Sequence, residues 1–112
     1  MGFRRACSYA VEFKTPKAPA EYINAVVSIK QDNLIVEKWL SDLTIDGDCF
    51  EAVFSQQETR QFTAGKSAWI QIRCFISDTD VTASREEPID VLPVINDAII
   101  EAPANGWGGC HG

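Results

Sequence analysis

Apolar residues recur at every second position along much of this chain, and that spacing limits it to β-structure. Phe50, Ala52 and Phe54 share one side of an extended segment, and Ile70 begins a longer segment of the same kind that ends at Ile76. Successive side chains of a strand point to opposite faces of a sheet, so a period of two indicates strands with one buried face. The sequence therefore predicts an all-β protein.

Turn-forming residues separate these segments. Asp32 and Asn33 stand between two apolar runs, and such side chains favour turns because they bond to the nearby backbone. Residues 23–40 are therefore predicted to form a β-hairpin. Ser55 and Glu58 match a capping box, in which a hydroxyl and a carboxylate three residues apart satisfy the free amides at a helix start. They predict one short helix over residues 56–62.

The order of these segments predicts a particular fold class. Short strands separated by turns about every 8–12 residues are typical of a β-sandwich, and we expect about seven strands. The expected domain is an antiparallel, immunoglobulin-like sandwich over residues 7–101, flanked by a basic arm at 1–6 and a glycine-rich arm at 102–112. Pro88 and Pro93 place residues 89–94 in an edge strand or extended segment, because proline donates no hydrogen bond to a ladder.

Length and charge narrow the possible functions. With 112 residues and a net charge of −6, the chain holds one acidic domain. Residues 1–30 contain five basic and two acidic residues, and residues 31–112 contain five basic and fourteen acidic residues. This asymmetry indicates either a solvated acidic surface or a basic arm that docks on an acidic body, such as that of a neighbouring copy. Nucleic-acid binding is disfavoured, because phosphate contacts need clustered lysine and arginine.

Targeting segments are not expected. The chain has no apolar run of the roughly 18 residues that a membrane-spanning helix needs. Arg4 and Arg5 are not followed by the apolar stretch of a secretory signal peptide. We therefore expect synthesis in the cytoplasm and no membrane partner.

The four cysteines are Cys7, Cys49, Cys74 and Cys110, and no two form a C-x-x-C pair. Cys7 and Cys74 have apolar neighbours two residues away, which predicts buried thiols rather than disulfides. Cys110 and His111 are adjacent, but partner ligands at usable spacing are lacking. We therefore predict no metal site.

Candidate catalytic residues are scarce. His111 is the only histidine and stands one residue from the end of the sequence, so a nucleophile–histidine pair would depend on the tail. Asp42, Asp46, Asp48 and Glu51 are close in sequence, but their spacing differs from that of a calcium loop and fits a solvated turn. We predict no catalytic, metal-binding or cofactor-binding residue, and a protein that is not an enzyme.

Aromatic residues are the stronger functional candidates. Trp69 and Phe75 lie opposite the apolar face of the longest predicted strand. They indicate either a central strand with Trp69 near the end of the sheet or an exposed apolar patch that docks a partner. Phe3 and Trp107 lie outside the predicted strands, and Trp107 is an aromatic anchor on a glycine-rich tether.

Short motifs follow one another through the second half of the chain. They are TIDGD at 44–48, SQQET at 55–59, GK at 65–66, IQIR at 70–73, VTAS at 81–84 and NDAII at 96–100. Together they resemble small virion or morphogenesis proteins of tailed bacteriophages and prophages of gut Firmicutes, although Gln57 stands where that group has glutamate. The resemblance implies an immunoglobulin-like fold and a place in the virion. Its motifs are a cap, a turn and a strand, so they imply no catalytic residue.

Two functions from different classes are predicted. The first is a non-enzymatic structural component of a tailed-phage virion, in the head decoration, the connector or the tail, that assembles in many copies through its arms. It is expected to contact copies of itself and other virion proteins through these residues: Phe3, Arg4, Arg5, Trp69, Phe75 and Trp107. The alternative is a carbohydrate- or cell-surface-binding module that stacks its ligand on Trp39, Trp69 or Phe75.

Overall fold

The computed structural model describes residues 2–100, which form nine strands, one short α-helix and two 3₁₀ turns. The strands are β1 (Gly2–Arg4), β2 (Tyr9–Lys14), β3 (Asn24–Gln31), β4 (Leu34–Trp39), β5 (Thr44–Asp46), β6 (Cys49–Phe54), β7 (Ser67–Ser77), β8 (Asp80–Ala83) and β9 (Glu87–Leu92). The helix α1 spans Gln56–Arg60, and the 3₁₀ turns lie at Pro19–Glu21 and Leu40–Asp42. Within residues 2–100, no helix has the length and apolar character needed to cross a membrane.

The strands form two sheets, which confirms the all-β class. The main sheet has the order β1-β9-β7-β3-β4, and the small sheet has the order β2-β6-β5. With 11 residues, β7 is long enough to pair with β9 along residues 67–70 and with β8 along residues 73–77. The strand β7 is therefore the middle strand of the main sheet, and on its other side it pairs antiparallel with β3.

The core contains the faces that the alternation predicts. Phe50, Ala52 and Phe54 of the small sheet are fully buried, and Ile70 and Ile72 of the main sheet belong to the same apolar cluster. Both sheets therefore bury one face in a shared core, and β3, β4 and β7 place their other side chains on the opposite side of the main sheet.

Local signals in the sequence are confirmed. The hairpin of β3 and β4 turns at Asp32, whose φ is +53°. Ser55 Oγ accepts from the Glu58 amide at 3.2 Å, and Glu58 Oε1 accepts from the Ser55 amide at 2.8 Å. The capping box therefore forms as predicted, although the α-helix itself ends at Arg60.

The start of the chain corrects the expectation of a separate arm. Residues 2–4 form β1, which pairs in parallel with β9 at the edge of the main sheet. The Phe3 side chain is only 4% exposed, and its ring centroid lies 5.1 Å from that of Tyr9 and 5.5 Å from that of Phe62. The first strand therefore belongs to the domain, and the sheet is not wholly antiparallel. The three-residue strands β1 and β5 are too short to display alternation and bring the count to nine.

Two further expectations are wrong. The strand β9 is not an edge strand, because it lies between β1 and β7. Pro88 stands near its start, outside residues 90–92 that pair with β1, so it does not interrupt that ladder. Cys7 is exposed because the chain turns at Ala6, whose φ is +62°, and β2 begins only at Tyr9. Cys74 is buried as predicted, and burial raises the pKa of its thiol.

The ion pair of Lys38 with Glu58 joins β4 to the helix and predicts a pH dependence. Lys38 Nζ lies 2.8 Å from Glu58 Oε2. Burial alone would raise the pKa of Glu58, but the hydrogen bonds and charge of Lys38, together with Ser55, outweigh burial and lower it. A lowered folded-state pKa contributes stability above the unfolded-state pKa, and that stability is lost as the pH falls through the folded-state value.

We expect Glu58→Gln to lower the free energy of unfolding by about 0.5–1 kcal/mol at pH 7 and by less near pH 3. Glutamine keeps the capping-box acceptor, so the change isolates the charge. The check is the urea midpoint of both proteins between pH 7 and pH 3. Parallel curves across that range would show that the Glu58 charge contributes nothing.

Candidate functional site

The residues predicted to contact partners do not lie together. Phe3 is buried in the core, whereas Trp69 and Phe75 lie on the opposite side of the main sheet. Arg4 and Arg5 lie near the segment that follows β9. Trp107 and the whole predicted arm at 102–112 lie outside the described residues.

The two N-terminal arginines bind their own chain. Arg5 forms an ion pair with Asp97, and its Nε donates to the Phe62 carbonyl at 2.7 Å. The hydrogen bond from Arg5 lowers the pKa of the Asp97 carboxyl. Arg4 Nη1 donates to the Pro93 carbonyl at 3.0 Å. The basic residues at the start of the chain thus hold the segment after β9 against the domain, instead of extending from it.

The strongest candidate site is the side of the main sheet that faces away from the core, which we call the outer face. On three neighbouring strands of this face the side chains are Asn24, Val26, Ser28 and Lys30 from β3, Ile35, Glu37 and Trp39 from β4, and Trp69, Gln71, Arg73 and Phe75 from β7. Trp39 and Trp69 are 48% and 47% exposed. The first alternative for Trp69 is therefore confirmed, because β7 lies inside the sheet between β9 and β3, and the Trp69 side chain is half exposed on the outer face.

The strand register places the two tryptophans at different levels of the outer face. Trp39 pairs with Val26, which pairs with Arg73 on its other side. Lys30 lies between Ile35 and Trp69 in the same way, four residues further along β3. Four residues of an antiparallel strand span about 13 Å, so the two levels are separated by about that distance.

An apolar hollow of about 450 Å³ opens at the Trp39 end of the outer face. Side chains that contribute to its wall are Ile23, Val26, Trp39, Phe75 and Val81, with Arg73 as the charged member. Ile23, Trp39 and Val81 are all exposed large apolar residues. Contiguous exposed apolar groups of this kind mark interaction surfaces more often than scattered ones do.

A polar hollow of about 500 Å³ lies beside it, at the Trp69 end. Its lining includes Ser28, Lys30, Glu37, Trp69, Gln71 and Arg73. Arg73 contributes to both hollows, so the two form one continuous surface. This surface offers an aromatic residue at each end and hydrogen-bonding groups between them, an arrangement suited to recognition.

The outer face of the small sheet is different. Glu12 and Glu51 stand directly opposite each other on β2 and β6, and like charges in that position are unfavourable. Of the nearby acidic residues, Asp48 forms an ion pair with Lys14 at 3.6 Å. Within residues 2–100, no three histidine, cysteine or carboxylate side chains are grouped closely enough to hold a metal ion.

The sequence indicated Trp39, Trp69 and Phe75 as candidate stacking residues, but it did not show that β4 and β7 present them on one face. Ile35, Glu37 and Trp39 alternate with buried or half-buried residues, so β4 places apolar and charged groups on its solvent side. That alternation is the available signal. The contribution of Val26 and Val81 depends on the pairing of distant segments and has no local signature.

No protein-family model matches the sequence, and no curated protein matches it significantly.

Proposed function

We propose that the protein is a non-enzymatic structural component of a tailed-phage virion, and that it contacts copies of itself and other virion proteins through the outer face. The exposed state of Trp39 and Trp69 on one sheet face carries the proposal. Tryptophan and arginine dominate the binding energy of protein interfaces, and Arg73 lies on the same face. A virion protein present in many copies needs such a surface.

The strand order supports an immunoglobulin-like fold within this proposal. In immunoglobulin sandwiches of the variable type, one sheet contains strands G, F, C and C′ and the other contains B, E and D. The series β9-β7-β3-β4 and β2-β6-β5 correspond to these when the strands are taken in chain order. The resemblance to small virion proteins agrees with this fold and favours head decoration, a connector or the tail as the location. The protein would be made in the cytoplasm of the host bacterium.

A carbohydrate- or cell-surface-binding module is the second candidate. The observation that favours it is the position of Ser28, Glu37 and Gln71 between the two tryptophan levels. Aromatic rings can stack on the apolar face of a sugar, while amide, hydroxyl and carboxylate groups bind its hydroxyls. In this function the outer face would stay open in the free protein.

Mass spectrometry of gradient-purified phage particles, induced from the strain that encodes the chain, tests the first function. We expect the chain in the particles at a fixed ratio to the major capsid protein, and its absence would contradict the proposal. A glycan array tests the second function, with Trp39→Ala and Trp69→Ala as variants. Binding that both variants lose, by a chain absent from particles, would support the carbohydrate module.

A further inference from the structure

We propose that the outer face is a self-complementary interface, in which two copies pack this face together about a two-fold axis and Arg73 of each copy meets Glu37 of the other. The inference rests on the proposed structural function and names its partner as a second copy of this chain.

On the outer face, charged residues of both signs form no ion pair with any residue of 2–100. Six of the ten basic residues form ion pairs within residues 2–100. Lys30 and Arg73 are among the four that do not, and both lie on the outer face together with Glu37, an acidic residue that also has no ion pair among the described residues.

This mixture of signs favours a second copy over an unrelated partner of one charge. A strongly acidic partner would meet Glu37, and a strongly basic one would meet Arg73 and Lys30, so each would face a like charge. A surface that carries both signs at different points can instead satisfy itself when it is rotated onto an identical surface. Two-fold dimers have this property, because residue i contacts residue j and residue j contacts residue i.

The register shows where the axis must lie. Arg73 stands level with Val26, and Glu37 stands level with Ser28, on opposite sides of β3. In an ideal flat sheet the two positions are about 10 Å apart across the strands and about 7 Å apart along them. The two-fold axis runs between the two packed faces and parallel to them. Seen in projection onto one face, it crosses β3 midway between Arg73 and Glu37 and is perpendicular to the line that joins them. With this axis, each Arg73 meets Glu37 of the other copy.

The same axis accounts for both exposed tryptophans. With the ideal spacings of a sheet, it passes within about 2 Å of the Trp39 position and of the Trp69 position. Each tryptophan would then pack beside its own counterpart, in the middle of the interface, while the arginine–glutamate pairs flank them. One axis placed only by the charges thus also buries the two exposed tryptophan side chains of the face.

The size of the face sets the expected affinity. At ideal spacings the strands from β4 to β9 cover about 19 Å by about 24 Å, an area of roughly 460 Å². This area is smaller than the roughly 800 Å² that each partner buries in a standard interface. We therefore expect dissociation in the micromolar range in solution. Assembly in a particle would favour the contact through high local concentration.

Charge exchange tests the pairing. We expect Arg73→Glu and Glu37→Arg each to weaken dimerisation of the full chain by at least about tenfold, because each places like charges together twice per dimer. An equimolar mixture of the two variants should form a heterodimer, since both contacts then join opposite charges. The double variant should dimerise like the original protein. Arg60→Glu is the matched control, because Arg60 also has no ion pair within residues 2–100 but lies on the helix; it should leave dimerisation unchanged.

Sedimentation equilibrium from about 1 to 500 μM measures these affinities around the expected micromolar dissociation constant. A monomer throughout that range, single variants that dimerise normally, a mixture that stays monomeric, or larger oligomers insensitive to the exchange would each overturn the inference. A chain that is present in particles but monomeric in solution would remove the two-fold interface and leave the proposed structural function standing. If the chain is absent from particles but forms a dimer that responds to the charge exchange as expected, the proposed structural function is removed and the two-fold interface stands.

Discussion

Truncation of Phe54 to alanine is expected to lower the free energy of unfolding by about 3–5 kcal/mol. The side chain is 0% exposed at the end of β6, and its ring lies 6.4 Å from that of Tyr9 in a stacked arrangement. Lys38 Nζ lies 5.8 Å from the ring centroid. Alanine would remove these contacts and leave a cavity that the two sheets fill only in part. Single domains are stable by about 5–15 kcal/mol, so the loss is a large part of the total.

The matched control is Val53→Ala, one residue earlier on the same strand. Val53 points to solvent from the small sheet, so its truncation should cost less than about 1 kcal/mol. Urea unfolding followed by far-ultraviolet circular dichroism is the suitable measurement, because Trp39 and Trp69 are already half exposed and their fluorescence would report unfolding weakly. The structure indicates that the core depends on Phe54. Equal losses of unfolding free energy in the two variants would contradict that.

Local patterns predicted the buried faces well, because the period of a strand is a local property. Phe50, Ala52 and Phe54 occupy one face of β6, and Ile70 and Ile72 occupy the inner face of β7, as the alternation indicated. The capping box and the hairpin turn could be predicted in the same way, since each depends on residues that lie close together in the sequence. These elements fix most of the core but not the arrangement of its strands.

Pairings between distant segments could not be predicted. The strand β1 has three residues and pairs with a strand almost 90 positions later, so neither alternation nor a connecting turn announces it. Because of that pairing, residues 2–4 belong to the sheet instead of to an arm, and β9 lies inside the sheet instead of at its edge. Phe3 packs on Tyr9 and Phe62, and this role in the core becomes visible only in the folded chain.

Only part of the candidate site could be predicted, because the rest of it also depends on pairings between distant segments. Trp69 and Phe75 were recognisable as apolar residues on the wrong face of a strand, which is a local observation. Their neighbours Trp39 and Val26 join them only through the register of β3 with β4 and β7. The charge pattern of the outer face likewise depends on the folded chain, in which six of the ten basic residues form ion pairs within residues 2–100 and Lys30 and Arg73 do not.

Replacement of Gln31 by leucine is expected to cost about 2–4 kcal/mol, although leucine is apolar and the site is buried. Gln31 is only 4% exposed at the end of β3. Its Nε2 donates to the carbonyls of Thr63 and Lys66 at 2.9 and 3.1 Å, and its Oε1 accepts from the Thr63 amide at 2.6 Å. One side chain thus satisfies three backbone groups of the segment between the helix and β7. Leucine fills similar space but leaves all three without that partner.

Gln57→Leu makes the same chemical change at an exposed position on the helix and should alter stability by no more than about 0.5 kcal/mol. Amide hydrogen exchange adds a local readout, because the Thr63 amide is protected only by its bond to Gln31 Oε1. In the Gln31 variant this amide should exchange faster than the amides of β7, under conditions where the protein stays folded. Unchanged Thr63 exchange, or a loss equal to that of the helix control, would mean that water replaces the glutamine at no cost. The segment from 63 to 66 would then be held by its other contacts, which are the hydrogen bond from the Gly65 amide to the Val91 carbonyl and the ion pair of Lys66 with Asp32.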